Sequence, residues 1–235
     1  MISFLRGMRL AIPIVLGYLP VGFTFGILAV QAGLTPVIAI LMSLFVYAGS
    51  AQLIATGLFG AGVGVAGIVL TTFIVNLRHL LMSAALTPYL KHWSKPLQSW
   101  FAFEMTDESF AANLGRFYSS STVNAAETLG LNFCAHFGWV VGSLLGVQFD
   151  SAIGDVTPLG LDFALPAMFI ALILPHLAVP RRLRAVLFGA FFSLAFSLVG
   201  IGQWSVLLAT LVAATLAAFM PLSGLPGQKG DTSRA

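Results

Sequence analysis

"VYAGSAQLIA", Val46–Ala55, lies in the middle of an apolar run from about 36 to 59. Read as one continuous helix, that run is long enough to cross a hydrocarbon core, which takes roughly 20 helical residues. Read as broken, its small residues Ala48, Gly49 and Ser50, flanked by Tyr47 and Gln52, unwind the helix at membrane depth and turn the chain back. Non-helical backbone at that depth is tolerated only where protein or a water-filled cavity covers it. Small residues also let two intact helices cross closely. The two readings differ by one crossing, so they decide on which side everything downstream lies.

The rest of the chain sets the context. Its 235 residues are 58% hydrophobic and 8% charged, with a mean hydropathy of +0.97. A soluble domain carries about 25% charged residues. The expectation is an all-α integral membrane protein in a lipid bilayer. Seven hydrophobic helical segments are expected, at about 10–31, 36–59, 62–87, 128–149, 158–179, 185–201 and 204–222. They form one transmembrane domain over 1–222, with half-repeats at about 10–87 and 128–222. An amphipathic region on the cytoplasmic side, 88–127, joins them, and a polar tail, 223–235, is expected to be disordered.

The net charge of +3 rests on few cations, most beside apolar runs, and does not indicate nucleic acid. The single cysteine, Cys134, has no second cysteine to pair with and reads as a small apolar side chain. Arg6 and Arg9 precede a stretch too long for a signal peptide, so a retained first helix is expected.

Orientation follows from charge. "PRRLR" (Pro180–Arg184) marks a cytoplasmic loop, and "FDSAIGD" (Phe149–Asp155) lies one span away on the other face. The C-terminus and 88–127 are then cytoplasmic. Three full spans before residue 88 would leave Arg6 and Arg9 outside, against the same rule; a broken 36–59 segment removes the conflict. Both resolutions are open at the level of sequence.

A faint repeat is visible. Gly22-xxx-Gly26 precedes Thr35-Pro36 and a long apolar segment; Gly142-xxx-Gly146 precedes Thr157-Pro158 and another. This is read as an inverted repeat with broken helices, with Pro20, Gly22, Gly26, Gly142, Gly146 and Pro166 as break or packing positions. Interrupted segments at matching places in two halves point to a midplane binding site.

"FIVNLRHLLMSAAL" (Phe73–Leu86) puts polar groups where solvation is poorest. By helical count Thr72, Asn76, His79, Ser83 and Thr87 form one stripe, which either lines a pathway or bonds neighbouring helices. Arg78 points away from that stripe and needs a partner. It either fixes architecture through an ion pair or binds an anionic group of a substrate. If "FAFEMTDESFAANLGRF" (Phe101–Phe117) is helical, Asp107 shares an apolar face with Phe103, Phe110, Leu114 and Phe117, while Glu104 and Glu108 point away. Asp107 is thus the expected partner of Arg78. Thr106-Asp107-Glu108 also reads as a helix start, with a Thr cap and acids in the first turn.

Asp162 either titrates or complements a helix N-terminus. His136 and His176 have no ligand-like spacing with His79, so no metal site is expected, and no cofactor motif is present. Ser50 lacks the strand–turn–helix context of a nucleophile and an identifiable base, which argues against an enzyme.

Five motifs occur in order: "GYLPVGFTFGILA" (Gly17–Ala29), "VYAGSAQ", "VNLRHLLMSAAL" (Val75–Leu86), "TDESFA" (Thr106–Ala111) and "GLDFALPAMF" (Gly160–Phe169). Together they resemble the AzlC family of branched-chain amino acid exporters, over about residues 10–180. The resemblance implies export of valine, leucine and isoleucine across a bacterial inner membrane. It also implies a small AzlD-type membrane subunit as partner. On that reading, Tyr47, Ala48, Gly49, Ser50, Gln52, Asn76, Arg78, Phe23 and Phe25 are the expected substrate-binding residues. Asp107, His79 and Asp162 are the expected proton carriers or ion-pair members. The rival readings are a non-transporting membrane scaffold or assembly subunit and an exporter of another small amino acid.

Overall fold

The computed structural model describes residues 2–119, 123–153, 180–200 and 204–219, with isolated positions between 158 and 177. The described backbone is helical, without strands. Helices α1 (Ile2–Leu10) and α2 (Ile12–Gln31) are followed by α3 (Pro36–Phe45), α4 (Gly49–Gly60) and α5 (Val65–Leu90). Then come α6 (Lys95–Phe103), α7 (Asp107–Ser119) and α8 (Ala125–Ile153). Residues 2–168 form one compact unit with these helices. In the second unit α9 (Pro180–Leu198) packs on α10 (Trp204–Ala218). Asp162, His176 and the tail 223–235 lie outside the described residues, as does most of segment 158–179; Pro166 is described as exposed and helical.

Among the described residues, α2, α5 and α8 have the length and composition to cross a membrane. At 1.5 Å per residue α5 is about 39 Å long. It buries little of itself: Phe73, Leu80 and Leu81 are 62%, 68% and 73% exposed. A contiguous apolar face of that kind is untenable in water and natural in lipid.

The run 36–59 is two helices, not one. Thr35 caps α3, its Oγ1 accepting the Ile38 N–H at 3.3 Å, and Pro36 opens the first turn. The helix stops at Phe45, and Tyr47 takes the left-handed backbone conformation, φ 39°, which costs a non-glycine residue about 1–2 kcal/mol. Helix α4 restarts at Gly49, where a Cβ would lie 2.8 Å from the Trp139 ring. Gln52 satisfies the freed backbone: its Oε1 accepts the Ala48 N–H at 3.2 Å. At about 15 and 18 Å, neither helix crosses alone. The open ends return to one place, because Phe59 and Gly60 lie beside Ala32 and Gly33, just before α3 begins. Helices α3 and α4 are therefore a re-entrant hairpin, which removes one crossing and the conflict over Arg6 and Arg9.

A second hairpin answers it from the opposite end. Gln98 of α6 donates to the carbonyls of Leu90 and Trp93 at 3.0 and 2.9 Å, and the ends of α5 and α7 meet through Tyr89 and Phe117, ring centroids 5.7 Å apart. Both open ends of α6–α7 thus lie at the C-terminal end of α5. The tip, Glu104–Thr106, is buried among the spans. The 88–127 region is therefore not simply a surface joint.

Helices α2 and α8 hold the unit together through glycine. A Cβ on Gly22 would stand 2.8 Å from the Trp139 carbonyl oxygen, and one on Gly142 would stand 2.6 Å from that of Leu19. Gly26 and Gly146 are closer still to the carbonyls of Ser143 and Phe23. One offset relates Gly22 to Gly142, Gly26 to Gly146 and Leu19 to Trp139. The two helices therefore run side by side in the same direction, each with its Gly-xxx-Gly face on the other. This corrects the inverted-repeat expectation. A two-fold axis in the membrane plane would set matched helices in opposite directions.

Leucine at Gly142 is expected to destabilise the protein by about 2 kcal/mol or more, since backbone cannot yield as a side chain does. Alanine at Gly57, where a Cβ meets nothing within 4 Å, is the matched control and should be neutral. Thermal unfolding of the two variants in detergent checks both.

Candidate functional site

Arg78 sits near the middle of α5, about 20 Å along it by helical rise. Its Nη2 donates to Ser50 Oγ at 2.5 Å, and its Nη1 lies 2.7 Å from Asp107 Oδ2. Ser50 belongs to the tip of the first hairpin and Asp107 to the tip of the second. One guanidinium, planar and with several fixed donors, grips both.

The second tip is held from α2 as well. The Tyr18 hydroxyl donates to Glu108 Oε2 at 2.5 Å and meets Thr106 Oγ1 at 2.6 Å. Thr106 and Ser109 cap the start of α7 reciprocally, each hydroxyl accepting the other's backbone N–H, at 2.8 and 3.3 Å. Asp107 stands in the first turn of this capped helix, and it pairs with Arg78.

The tips enclose a cavity of about 20 Å³, lined by Tyr18, Tyr47, Ala48, Gly49, Ser50, Arg78, His79, Thr106, Asp107, Glu108 and Trp139. That is room for about one water, against several hundred Å³ for a typical small-molecule pocket. The lining carries polar atoms without a protein partner: the Tyr47 hydroxyl, Arg78 Nε, Glu108 Oε1 and Trp139 Nε1. Buried donors and acceptors are normally satisfied. Four left open around one void make a place for something polar.

Of the residues expected from sequence, Tyr47, Ala48, Gly49, Ser50, Arg78, His79 and Asp107 converge here. Others do not line the cavity. Gln52 serves the helix break, also donating to Ser43 Oγ at 3.3 Å. Phe25 is buried against Trp139 at 6.1 Å, and Phe23 packs its backbone on Gly146. The Asn76 carbonyl lies 3.1 Å from His79 Nδ1. On the polar stripe, Thr72 and Thr87 donate to carbonyls of their own helix. Arg78, read as facing away from the stripe, reaches the same cavity as His79.

Tyr18, Thr106, Glu108 and Trp139 are cavity residues that sequence reasoning missed. One unbroken helix over 101–117 would point Glu104 and Glu108 away from its apolar face. The chain breaks at Glu104–Thr106 instead, turning both acids inward. The signal was present in Thr106 and Ser109, a capping pair. Among the described residues no group of His, Cys, Asp and Glu is placed to hold a metal ion.

Re-entrant hairpins, lipid-facing apolar helices and a polar cavity at mid-span define an all-helical membrane protein. The chain belongs to the AzlC family: the family model, described as AzlC protein, matches residues 13–153. It is 34% identical to an uncharacterized membrane protein of Archaeoglobus fulgidus, over 91% of this chain and 93% of the relative. It is 29% identical to the inner membrane protein YgaZ of Escherichia coli, over 73% and 72%. It is 26% identical to the branched-chain amino acid transport protein AzlC of Bacillus subtilis, over 82% and 75%. No solved structure matches the chain.

Replacing Asp107 by Asn is expected to cost about 1–3 kcal/mol, because Arg78 keeps its charge and loses its counter-ion; the pair is only partly buried, so the lower end of the deep-burial range applies. A double-mutant cycle with Arg78→Met, read by thermal unfolding, should give a coupling of at least about 0.5 kcal/mol.

Proposed function

We propose that the protein is a secondary exporter of branched-chain amino acids, with its substrate site at the cavity between the two hairpin tips. One observation carries the reading. At mid-span the cavity presents a guanidinium, two carboxylates and four unpartnered polar atoms to one small space. A zwitterion has the matching pattern of charge. Its carboxylate takes Arg78, as planar guanidinium favours. Its ammonium takes Asp107 or Glu108, or carbonyls at the Ala48–Ser50 break. The ring faces of Tyr47 and Trp139 give the branched side chain its wall.

The likeness to the Bacillus subtilis branched-chain transport protein supports the substrate class. A small AzlD-type subunit is proposed as partner. The bacterial inner membrane is proposed as location, with both the N-terminus and the C-terminus cytoplasmic. Arg6 lies 3.9 Å from Glu127, so the N-terminus and the start of α8 share one face. An ion gradient supplies the energy, with Asp107, His79 and Asp162 as candidate proton carriers.

The cavity as it stands does not admit an amino acid, so the tips must separate for each passage. Arg78, which joins them, then lets go of one tip as substrate enters. Competition between the substrate carboxylate and Asp107 for one guanidinium is the simplest way to drive that release.

The test is labelled valine and leucine flux in proteoliposomes under an imposed pH gradient, with and without the small subunit. Gradient-dependent flux only with the subunit is the expected result. Arg78→Lys should lower that flux at least tenfold with the protein still folded, since an ammonium cannot hold both tips in the same fork. Normal flux in that variant removes the guanidinium from the mechanism. No flux of either amino acid in the wild type favours another substrate or a scaffold.

A further inference from the structure

A second buried pair lies across Tyr47 from the cavity. Glu104, at the tip of the α6–α7 hairpin, is 1% exposed. Its Oε1 is 3.8 Å from His136 Nδ1 of α8, and its Oε2 has no protein partner. The other ring nitrogen, His136 Nε2, is 3.0 Å from the Ser43 carbonyl in the last turn of α3. The imidazole is stacked on Tyr47, centroids 3.9 Å apart and planes 16° from parallel. Glu104 and His136 lie on the wall of an open apolar groove of about 550 Å³ with Phe45, Trp100, Phe133 and Phe137. None of this enters the substrate reading above.

The chemistry of the contacts limits the proton count. A carbonyl oxygen carries no proton, so Nε2–H must donate to Ser43. Nδ1 is then a lone pair, or it bears a second proton and the ring is a cation. At 3.8 Å the approach to Glu104 is too long for a hydrogen bond and within ion-pair reach. An ionised Glu104 facing a neutral ring would be a buried charge without a counter-ion, which is costly. The favoured states have one titratable proton on the pair: imidazolium against carboxylate, or neutral imidazole against carboxylic acid. Both have zero net charge.

The placement is as telling as the count. His136 touches both hairpins, α3 through Ser43 and the α6–α7 tip through Glu104, as Arg78 does on the other side of Tyr47. Arg78 is a permanent cation, whereas His136 is a cation only when protonated. We infer that Glu104 and His136 form a proton-binding site, a protonation-dependent clasp between the two hairpins. Loss of the proton to one aqueous phase leaves carboxylate against lone pair. The clasp weakens, leaving Arg78 as the remaining bridge between the tips; a proton from the opposite phase restores it. No group other than the two side chains and the two aqueous phases is needed for balance.

Titratable neighbours are few. Tyr47 covers the ring, and beyond it Tyr18, Arg78, His79, Asp107 and Glu108 surround the cavity. Helix α3 contributes no ionisable side chain, α6 has only Lys95 at its far end, and α1 and α7 hold Arg6 and Arg116 at Glu127.

As a coupling device the inference rests on the export reading, so its test has two arms. The first uses no substrate: infrared difference spectra of the full-length protein in lipid vesicles, between pH 5 and pH 9. A protonation-dependent carboxyl or imidazole signal is expected that Glu104→Gln abolishes and His136→Gln shifts by at least one pH unit. Absence of any such signal sensitive to Glu104 overturns the site. The second arm compares valine exchange with valine accumulation driven by a pH gradient. Glu104→Gln should retain exchange within about threefold and lose driven accumulation at least tenfold, with Glu104→Asp recovering part of it. Driven accumulation at the wild-type level in Glu104→Gln overturns the coupling role. A Glu104-dependent infrared signal with no valine flux in the wild type leaves the proton site standing and removes the substrate reading.

Discussion

The structure of the first unit depends on what a single guanidinium can do that no other side chain can. Arg78 is held at mid-span, where an unpaired charge is expensive, and its two terminal nitrogens point to different partners. Ser50 and Asp107 lie on separate hairpins. Without Arg78 the first tip has the Gln52–Ser43–Ser143 chain of hydrogen bonds and the second has Tyr18. Each tip would keep its own anchor, and the direct link between Ser50 and Asp107 would be lost.

The remaining helices divide into what is fixed and what is held. The α2–α8 crossing is fixed, because four glycines bring backbone onto backbone and no side chain is there to rearrange. The hairpins are held by side chains, through hydrogen bonds, an ion pair and aromatic stacking. Tyr47 concentrates this division in one residue. Its strained backbone ends α3, its ring covers His136 and meets Tyr18 edge-on, and it lines the cavity. Strain of about 1–3 kcal/mol persists only where surrounding contacts over-determine it, and here a buried aromatic cluster does so.

Much of this was legible in the sequence, unevenly. Composition alone identified a helical membrane protein, because few charges and long apolar runs leave no other economical solvent. Val46–Ala55 advertised a break through Ala48, Gly49 and Ser50. The pairing of Arg78 with Asp107 was reached by a faulty step: the helix assumed over 101–117 is interrupted at Glu104–Thr106, which contains neither glycine nor proline. That interruption hid Glu104 and Glu108. Trp139 and Tyr18 were invisible for another reason. On a greasy helix an aromatic residue facing protein and one facing lipid look the same, and only the register of α2 against α8 separates them. The shared Gly-xxx-Gly faces were noticed, yet their direction of packing is a tertiary fact that periodicity does not contain.

The two hairpins enter from opposite faces, and this bears on how such a site could serve transport. The open ends of α3–α4 lie at the C-terminal end of α2, and those of α6–α7 at the C-terminal end of α5, on the other side. Withdrawing the first tip would open the cavity toward one face, and withdrawing the second would open it toward the other. A rigid α2–α8 core gives both movements the same reference. Two bridges span the same pair of tips, Arg78 a permanent cation and His136 a protonatable ring. On the proposed reading they provide unequal control, the Arg78 bridge yielding to competition from an anionic group and the His136 bridge to loss of a proton. Coupling follows if neither loss alone frees a tip, because substrate and proton must then act in the same cycle. The physical requirement is modest: each bridge has to be worth more than the thermal energy and less than the fold.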